Sequence, residues 1–484
     1  MNRNLVFFLL GRVALLNGLM LVIPLICAYI WQEAGGLLYF GPAIAATVGI
    51  GAVLSWLGRN HKRQLGVAEG AWYMACIWLL LGGIGMIPYI LSGTLGGLDA
   101  FFESIAAWTT TGISCFAADH STVPQSLLLW HSMMEWLGGL TFIVLLIAVI
   151  PQVNGRFGLT LTVRRNVSFS PLVSRMEQTA RRIGIIYTGI TFFSAALYWL
   201  AGLSLPQALI QALRTVSTSG GNSFFSFMAY NNPALELAGA VTMLLASGNF
   251  LLYWKGVTYQ SIRNLFQDQE MRAFLALTGA AGLIVSVHLW YQGLYSLADS
   301  LRFGFFQVIS FISTSGLVSA AFPLWPEFDQ FILFILAFVG GCIGSLTGGI
   351  RIMRLIILLK MAVHEMRRIL HPHMVVSLKL NGIPVEMKVI SQVLSYFFLF
   401  MMVFFISMII LSLAGITPLQ SMGLAIGCLS SVGATASLFG VTDFLSLPAW
   451  MKVYCSFLMI LGRLEIFSFL IVVQMGLQSL HRQW

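Results

Sequence analysis

The chain has 484 residues, of which 58% are hydrophobic and only 9% charged. Soluble domains carry about 25% charged residues. The composition therefore excludes a soluble enzyme and, despite a net charge of +9, a nucleic-acid binder; it describes an integral membrane protein.

A span needs about 20 apolar residues to cross roughly 30 Å of hydrocarbon. In chain order, spans are expected at 5–31, 40–57, 70–92, 126–150, 183–203, 233–255, 273–293, 325–360, 389–415 and 447–477. All should be helical, because a backbone facing lipid must satisfy its own hydrogen bonds. The first follows a short basic start, as a signal peptide would, but its apolar run is long for one and no clear cleavage site follows. With ten spans, 22 of the 26 Lys and Arg residues fall on one side. Only Arg214, Arg302 and Lys452 fall on the other, and Arg463 lies within the last span. The positive-inside rule makes the basic side cytoplasmic and puts both termini there. The outer segments carry Glu33, Asp99, Glu103, Asp119, Glu236, Asp299, Glu327, Asp329 and Asp443, a charge that attracts cations and repels anions. Six scattered cysteines (Cys27, Cys76, Cys115, Cys342, Cys428 and Cys455) form no C-x-x-C pair, so neither a disulfide framework nor a zinc site is expected.

Four segments between spans are apolar but too short to cross, and each ends in small hydroxyl residues and a glycine. They are AFFESIAAWTTTGIS, with Thr109, Thr110, Thr111 and Gly112; ALIQALRTVSTSGGNS, with Ser217, Thr218, Ser219 and Gly220; GFFQVISFISTSGLVS, with Ser313, Thr314, Ser315 and Gly316; and MGLAIGCLSSVGATAS, with Ser430, Ser431, Val432 and Gly433. Such a unit reads as a short helix that enters from outside, stops at mid-membrane and returns as an extended strand. Non-helical backbone survives at that depth only against protein or water. Glycine lets the strand turn its carbonyls inward, and carbonyls from four strands can replace the hydration shell of an alkali cation. The helices aim their negative C-terminal ends at the path, which favours a cation below the filter these strands form.

The span at 325–360 contains GGCIGSLTGGI, with Gly340, Gly341, Gly344, Ser345, Thr347, Gly348 and Gly349 followed by Arg351. Each glycine weakens a helix by about 1 kcal/mol relative to alanine, so this helix should break near its middle. No lysine follows in the spacing of a phosphate-binding loop. Arg463, deep in CSFLMILGRLEIFSFLIV, should face protein or water. Glu103 and the neighbouring acids suit the positive ends of short helices. Glu135 reads as a packed, hydrogen-bonded carboxylate, and Glu465 as pointing away from Arg463. Arg214, three residues before a hydroxyl run, has no explanation in the sequence. His364, His371 and His373 match no usual metal spacing and read as surface residues.

On TTTGIS, STSGGNS, STSGLVS, SSVGATAS, GGCIGSLTGGIRIMR and ILGRLEIF, the chain resembles the TrkH/TrkG/KtrB superfamily of K+ transporters over nearly its whole length, and most of all the TrkH/TrkG branch. The resemblance implies an all-α polytopic membrane protein with four M1-P-M2, K+-channel-like pseudo-repeats around one pore. The expected division is an N-terminal helix pair at 1–66 and repeats at 67–163, 164–256, 257–360 and 361–484, with a gate loop at 340–351 in the third. It implies a selectivity filter at Thr110, Thr111, Gly112, Thr218, Ser219, Gly220, Thr314, Ser315, Gly316, Ser431, Val432 and Gly433. K+ would be held at Thr110, Thr111, Ser219, Gly220, Ser315, Gly316, Val432 and Gly433. In the second repeat Gly221 competes with Gly220. In the fourth, the Asn-Asn common in the family is replaced by Ser430-Ser431. A serine in place of the first glycine accompanies Na+ permeation in HKT-type relatives, so Gly112 points to K+. The gate would comprise Gly344, Ser345, Thr347, Gly348, Gly349, Arg351 (where a lysine is frequent) and Arg463, which would restrain ion flow or latch the loop.

The expected function is K+ uptake across the bacterial inner membrane. K+ is the permeant ion, and the chain itself needs no organic cofactor. The expected partners are a second copy of the chain and a TrkA-type cytoplasmic nucleotide-binding subunit, docking at 151–182 and 361–388; nucleic acid is not one of them. The rivals are a Na+-permeable or Na+/H+-coupled transporter of the same fold, a permease subunit of an ATP-driven importer, and a membrane enzyme. The enzyme is disfavoured because H-E-x-x-H, a serine–lysine pair and an intramembrane carboxylate dyad are all missing.

Overall fold

The computed structural model describes residues 3–33, 35–60, 67–116, 123–148, 172–220, 226–258, 263–370, 378–464 and 466. Gly221, Glu465, His371, His373, Asp119 and most of the 151–182 segment lie outside the described residues.

Long helices form along the apolar runs: Arg3–Met20 continued by Val22–Ile30, Gly36–Leu57, Val67–Gly85 continued by Ile87–Leu91, Gln125–Ala148, Leu172–Leu200, Gln269–Tyr291 and Met387–Ser412. Among the described residues, seven helices are long and apolar enough to cross a membrane, or eight with one bent pair counted as a span. Their outer faces carry large apolar side chains, such as Phe192 (65% exposed) and Phe398 (67%). Apolar patches on this scale suit lipid and not water.

Between these helices lie four short ones, Gly97–Trp108, Leu205–Val216, Leu297–Ile312 and Pro418–Ser430. Three start on side-chain caps. Ser204 with Gln207 and Thr417 with Gln420 form capping boxes, each followed by proline in the first turn, and Ser296 Oγ accepts from the Asp299 amide. These caps satisfy amides that a helix start otherwise leaves bare. The last turns are buried: Ile105–Trp108, Arg214–Val216, Val308–Ile312 and Leu424–Ser430 all lie in the interior. The short helices therefore form the centre of the molecule, and the long helices surround them.

Two of the expected spans depart from simple rods among the described residues. The one expected at 325–360 is Glu327–Val339 and Ile352–Leu370, with the glycine cluster as irregular backbone between them. The one expected at 233–255 is broken into Pro233–Ser247 and Phe250–Thr258, bent by 91°. Gly248 is extended there, and Asn249 Oδ1 accepts from the Leu251 amide to start the second piece. The last span is the helix Ala449–Leu464. A two-stranded hairpin, Lys379–Leu380 with Ile383–Pro384, is the one departure from an all-helical chain among the described residues. It docks on the start of the Gln269–Tyr291 helix, where Asn381 Nδ2 donates to Asp268 Oδ2 at 2.8 Å and Lys360 Nζ bridges Gln269 Oε1 and the Lys379 carbonyl.

Candidate functional site: four turns and a loop

The four short helices end in one and the same turn. The residue two before each motif glycine is left-handed: Thr110 (φ 49°), Thr218 (54°), Thr314 (56°) and Ser431 (55°). A β-branched residue at positive φ is a strained outlier that surrounding structure must hold in place. The next amide donates five residues back in every case: Thr111 to the Ala106 carbonyl (2.9 Å), Ser219 to Arg214 (3.1 Å), Ser315 to Ser310 (3.0 Å) and Val432 to Gly427 (2.9 Å). This repetition of strain and bonding goes beyond what spacing in the sequence could reveal.

The turns then diverge. Gly112 and Gly316 take positive φ (73° and 68°) and lead into irregular, extended segments. Gly433 is right-handed helical, and Ala434–Leu438 continues as a helix. The expectation of four extended return strands therefore fails in the fourth segment, where a short run of helix formers follows a glycine not forced to positive φ. The first and fourth segments touch directly, the Gly433 amide donating to the Thr111 carbonyl at 2.7 Å. A carbonyl has two lone pairs, so this bond leaves Thr111 O with a second. The second and third segments also meet, because a Cβ added to Gly220 would lie 3.2 Å from the Ser315 carbonyl.

The loop 340–351 packs against these turns and is buried throughout. It is folded on itself by Thr347 Oγ1, which accepts from the Gly341 amide (3.1 Å) and contacts Ser345 Oγ (2.6 Å). It also fills the break in the bent helix, where the Cys342 amide donates to the Ser247 carbonyl (3.0 Å) and the Phe250 amide to the Gly344 carbonyl (3.2 Å). That docking explains why the 233–255 span is not straight; Ser247-Gly248-Asn249 is the sequence signal that could have marked the break. Glu270 Oε1, on a neighbouring helix, accepts from the Ile343 amide at 2.5 Å. The Gly348 amide donates to Thr314 Oγ1 at 3.2 Å, and a Cβ on Gly348 would sit 2.0 Å from the Ser430 carbonyl, a backbone atom. Only glycine fits that approach.

Arg463 joins the loop to the first turn. Its Nη1 donates to the Leu346 carbonyl at 2.7 Å, its Nε to the Thr109 carbonyl at 2.5 Å, and its Nη2 to Thr110 Oγ1. Arg463 and Arg351 both approach the Phe142 ring, at 4.5 and 5.6 Å from its centre. Arg351 is left-handed (φ 73°) and buried. The four hydroxyls at the strained positions are thus used unequally. Thr110 receives Arg463 and Thr314 receives the loop, while Thr218 Oγ1 and Ser431 Oγ are buried without a partner among the described residues. Buried polar groups are normally satisfied, so these two orphan oxygens set the second and fourth turns apart from the first and third.

Among the described residues, five of the charges expected on the outer side are buried: Glu103, Arg214, Glu236, Asp329 and Lys452. Glu103 is the seventh residue of its helix, not its opening, and is buried; it accepts from Ser114 Oγ (2.7 Å) and the Cys115 amide (2.6 Å). Arg214 is buried against Glu135, with Nε 3.2 Å from Oε2. The other two outer cations are neutralised by acids, Arg302 by Glu236 (2.5 Å) and Lys452 by Asp99 (2.5 Å). Among the described residues no cluster of His, Cys, Asp and Glu could hold a metal ion.

The profile of the TrkH family, described as "Cation transport protein", matches residues 40–480. The chain belongs to the TrkH family. It is therefore a transport protein and not an enzyme. Among proteins similar to this TrkH-family chain, the Trk system potassium uptake protein TrkH of Halomonas elongata is 29% identical over 481 residues, covering 98% of both chains. The Trk system potassium uptake protein TrkG of Escherichia coli K12 is 30% identical over 473 residues, covering 96% of both. The crystal structure of the potassium transporter TrkH from Vibrio parahaemolyticus superposes with a TM-score of 0.89 at 25% identity, covering 98% of each chain. This fold makes the TrkH-family chain a multi-pass membrane protein.

Proposed function

We propose that the chain takes K+ into the bacterial cell across the inner membrane, through a path lined by the four turns. The filter residues are Thr110, Thr111 and Gly112 with their counterparts Thr218, Ser219 and Gly220; Thr314, Ser315 and Gly316; and Ser431, Val432 and Gly433. The observation that carries this reading is the fourfold strained turn, with left-handed Thr110, Thr218, Thr314 and Ser431 gathered at the buried centre. Backbone and hydroxyl oxygens from such turns are hard, neutral ligands, and these suit a dehydrated alkali cation. Potassium uptake is also what the H. elongata and E. coli relatives are named for.

The loop 340–351 is the gate and Arg463 its latch. By bonding to Thr314 and Thr110, the Gly348 amide and the Arg463 guanidinium occupy two of the four inner hydroxyls with positive hydrogens, where a cation would otherwise bind. Arg351 adds like charge beneath them, which repels the permeant ion until the loop moves. The four repeats work as one pore unit per chain, in a homodimer with both termini inside. A TrkA-type cytoplasmic subunit carrying the nucleotide pulls the loop open through the inner-facing segments. The test is Rb+ uptake into proteoliposomes in competition with K+ and Na+. K+ should block uptake and Na+ should not; equal block by Na+ would replace this reading with that of a Na+-permeable or Na+-coupled transporter.

A further inference from the structure

Behind the filter lies a chain of buried ionisable groups that belongs to neither the turns nor the loop. Glu103, His131, Glu135 and Arg214 all have side chains no more than 4% exposed. His131 Nδ1 lies 3.3 Å from Glu103 Oε1 and its Nε2 3.3 Å from Glu135 Oε1, while Arg214 Nε holds Glu135 Oε2 at 3.2 Å. At one end Glu103 holds Ser114 and the Cys115 amide, on the return segment of the first repeat. At the other end Ser219 Oγ donates to Glu135 Oε1 at 2.7 Å. The chain therefore runs from the first return segment to the filter position of the second.

Comparison across the repeats singles out that last bond. In the first repeat, the hydroxyl just before the glycine is held inside its own turn, Thr111 Oγ1 by Thr109 Oγ1 at 2.8 Å. The third repeats this with Ser315 Oγ and Ser313 Oγ at 3.0 Å. In the second, Ser217 Oγ donates to the Arg214 carbonyl at 2.8 Å, as Ser313 Oγ does to Ser310 at 3.1 Å, but Ser219 is held by Glu135 from a helix of another repeat. Six residues before each glycine, the other three repeats have Ala106, Ser310 and Gly427, and the second has Arg214. A small residue has been replaced by a cation that fixes the carboxylate holding Ser219. A buried carboxylate is tolerated only when paired and hydrogen-bonded; Arg214, His131 and Ser219 together meet that need.

We infer that Glu135, clamped by Arg214 and His131, is a positioning residue for cation selection, setting the second filter segment through Ser219. The inference rests on the filter reading above. A hydrogen bond to a charged group is strong enough for its loss to change a selectivity ratio about tenfold.

The test is the Rb+/Na+ uptake ratio of purified protein in proteoliposomes, per folded transporter, for wild type, E135L, E135Q, S219A and the double variant E135L/S219A. E135L should lower the ratio about tenfold. E135Q, whose amide oxygen still accepts from Ser219, should lower it less. The double variant should fall no further than E135L alone. A folded E135L with the wild-type ratio, or losses that multiply in the double variant, would overturn the inference, because a carboxylate that only stabilises the fold would reduce yield and leave the ratio alone. If E135L does not fold, E135Q with and without S219A runs the same cycle by the same criteria. A wild-type protein that passes no Rb+, or shows no preference for it, refutes the filter reading itself, an outcome distinct from a selective wild type with indifferent variants.

Discussion

Replacing Arg463 by glutamine should open the path. The guanidinium makes one bond to the loop, to the Leu346 carbonyl at 2.7 Å, and two to the first turn, to the Thr109 carbonyl at 2.5 Å and to Thr110 Oγ1. Only the first resists loop withdrawal. A hydrogen bond to a charged group contributes about 1.5–3 kcal/mol, and each 1.4 kcal/mol is a factor of about ten in a population. Loss of the latch should therefore raise the open fraction, and with it basal Rb+ flux into proteoliposomes lacking any partner, by roughly ten- to a hundredfold. Arg463→Lys keeps the charge but cannot span loop and turn together, so it should also raise flux. A pure electrostatic plug would instead leave the lysine variant closed. Because the same side chain holds Thr109 and Thr110, some loss of K+ preference should accompany the leak. A folded Arg463→Gln protein with basal flux at or below wild type would refute the latch.

Gly112→Ser puts a side chain on a residue at φ 73° and should reduce the Rb+/Na+ uptake ratio, with an unchanged ratio counting against the first filter segment. Gly348→Ala places a methyl 2.0 Å from the Ser430 carbonyl and must push the loop off the fourth turn, so basal flux should rise; flux at the wild-type level in a folded protein would mean that the loop is no barrier. Deleting 345–349 should raise basal flux further, whereas a folded but non-conducting protein would contradict the gate. Glu270→Leu removes the acceptor of the Ile343 amide and should lower the melting temperature and loosen the loop, the latter visible as faster hydrogen exchange at Ile343; unaltered exchange would show that this bond contributes nothing.

Apolar run length and composition make the spans legible, and glycine crowding marks the break in the 325–360 span, which falls between Val339 and Ile352. The short helices are legible because each apolar run stops too early and ends in hydroxyls. The features that escape are those set by partners distant in sequence. Arg214 looks anomalous because Glu135, which fixes it, lies 79 residues away on another helix. Glu103 suggests a helix-start acid by its place in the chain, whereas its burial and its bonds to Ser114 and Cys115 decide its environment. The bend at Gly248 depends on the loop entering from a third segment, and hydropathy averages across it. The helical continuation after Gly433 is hidden because the hydroxyl-rich motif matches three other copies, although the helix formers Ala434–Leu438 set its backbone angles.

The most direct test is a diffraction experiment on crystals grown in Rb+ or Tl+, reading anomalous density at the four turns. A cation path between them predicts peaks within oxygen-ligand distance of Thr110, Thr111, Ser219, Gly220, Ser315, Gly316, Val432 and Gly433, weakened by K+ and not by Na+. Density confined to the periphery, or a dry and metal-free centre in a protein that still passes Rb+, would contradict it.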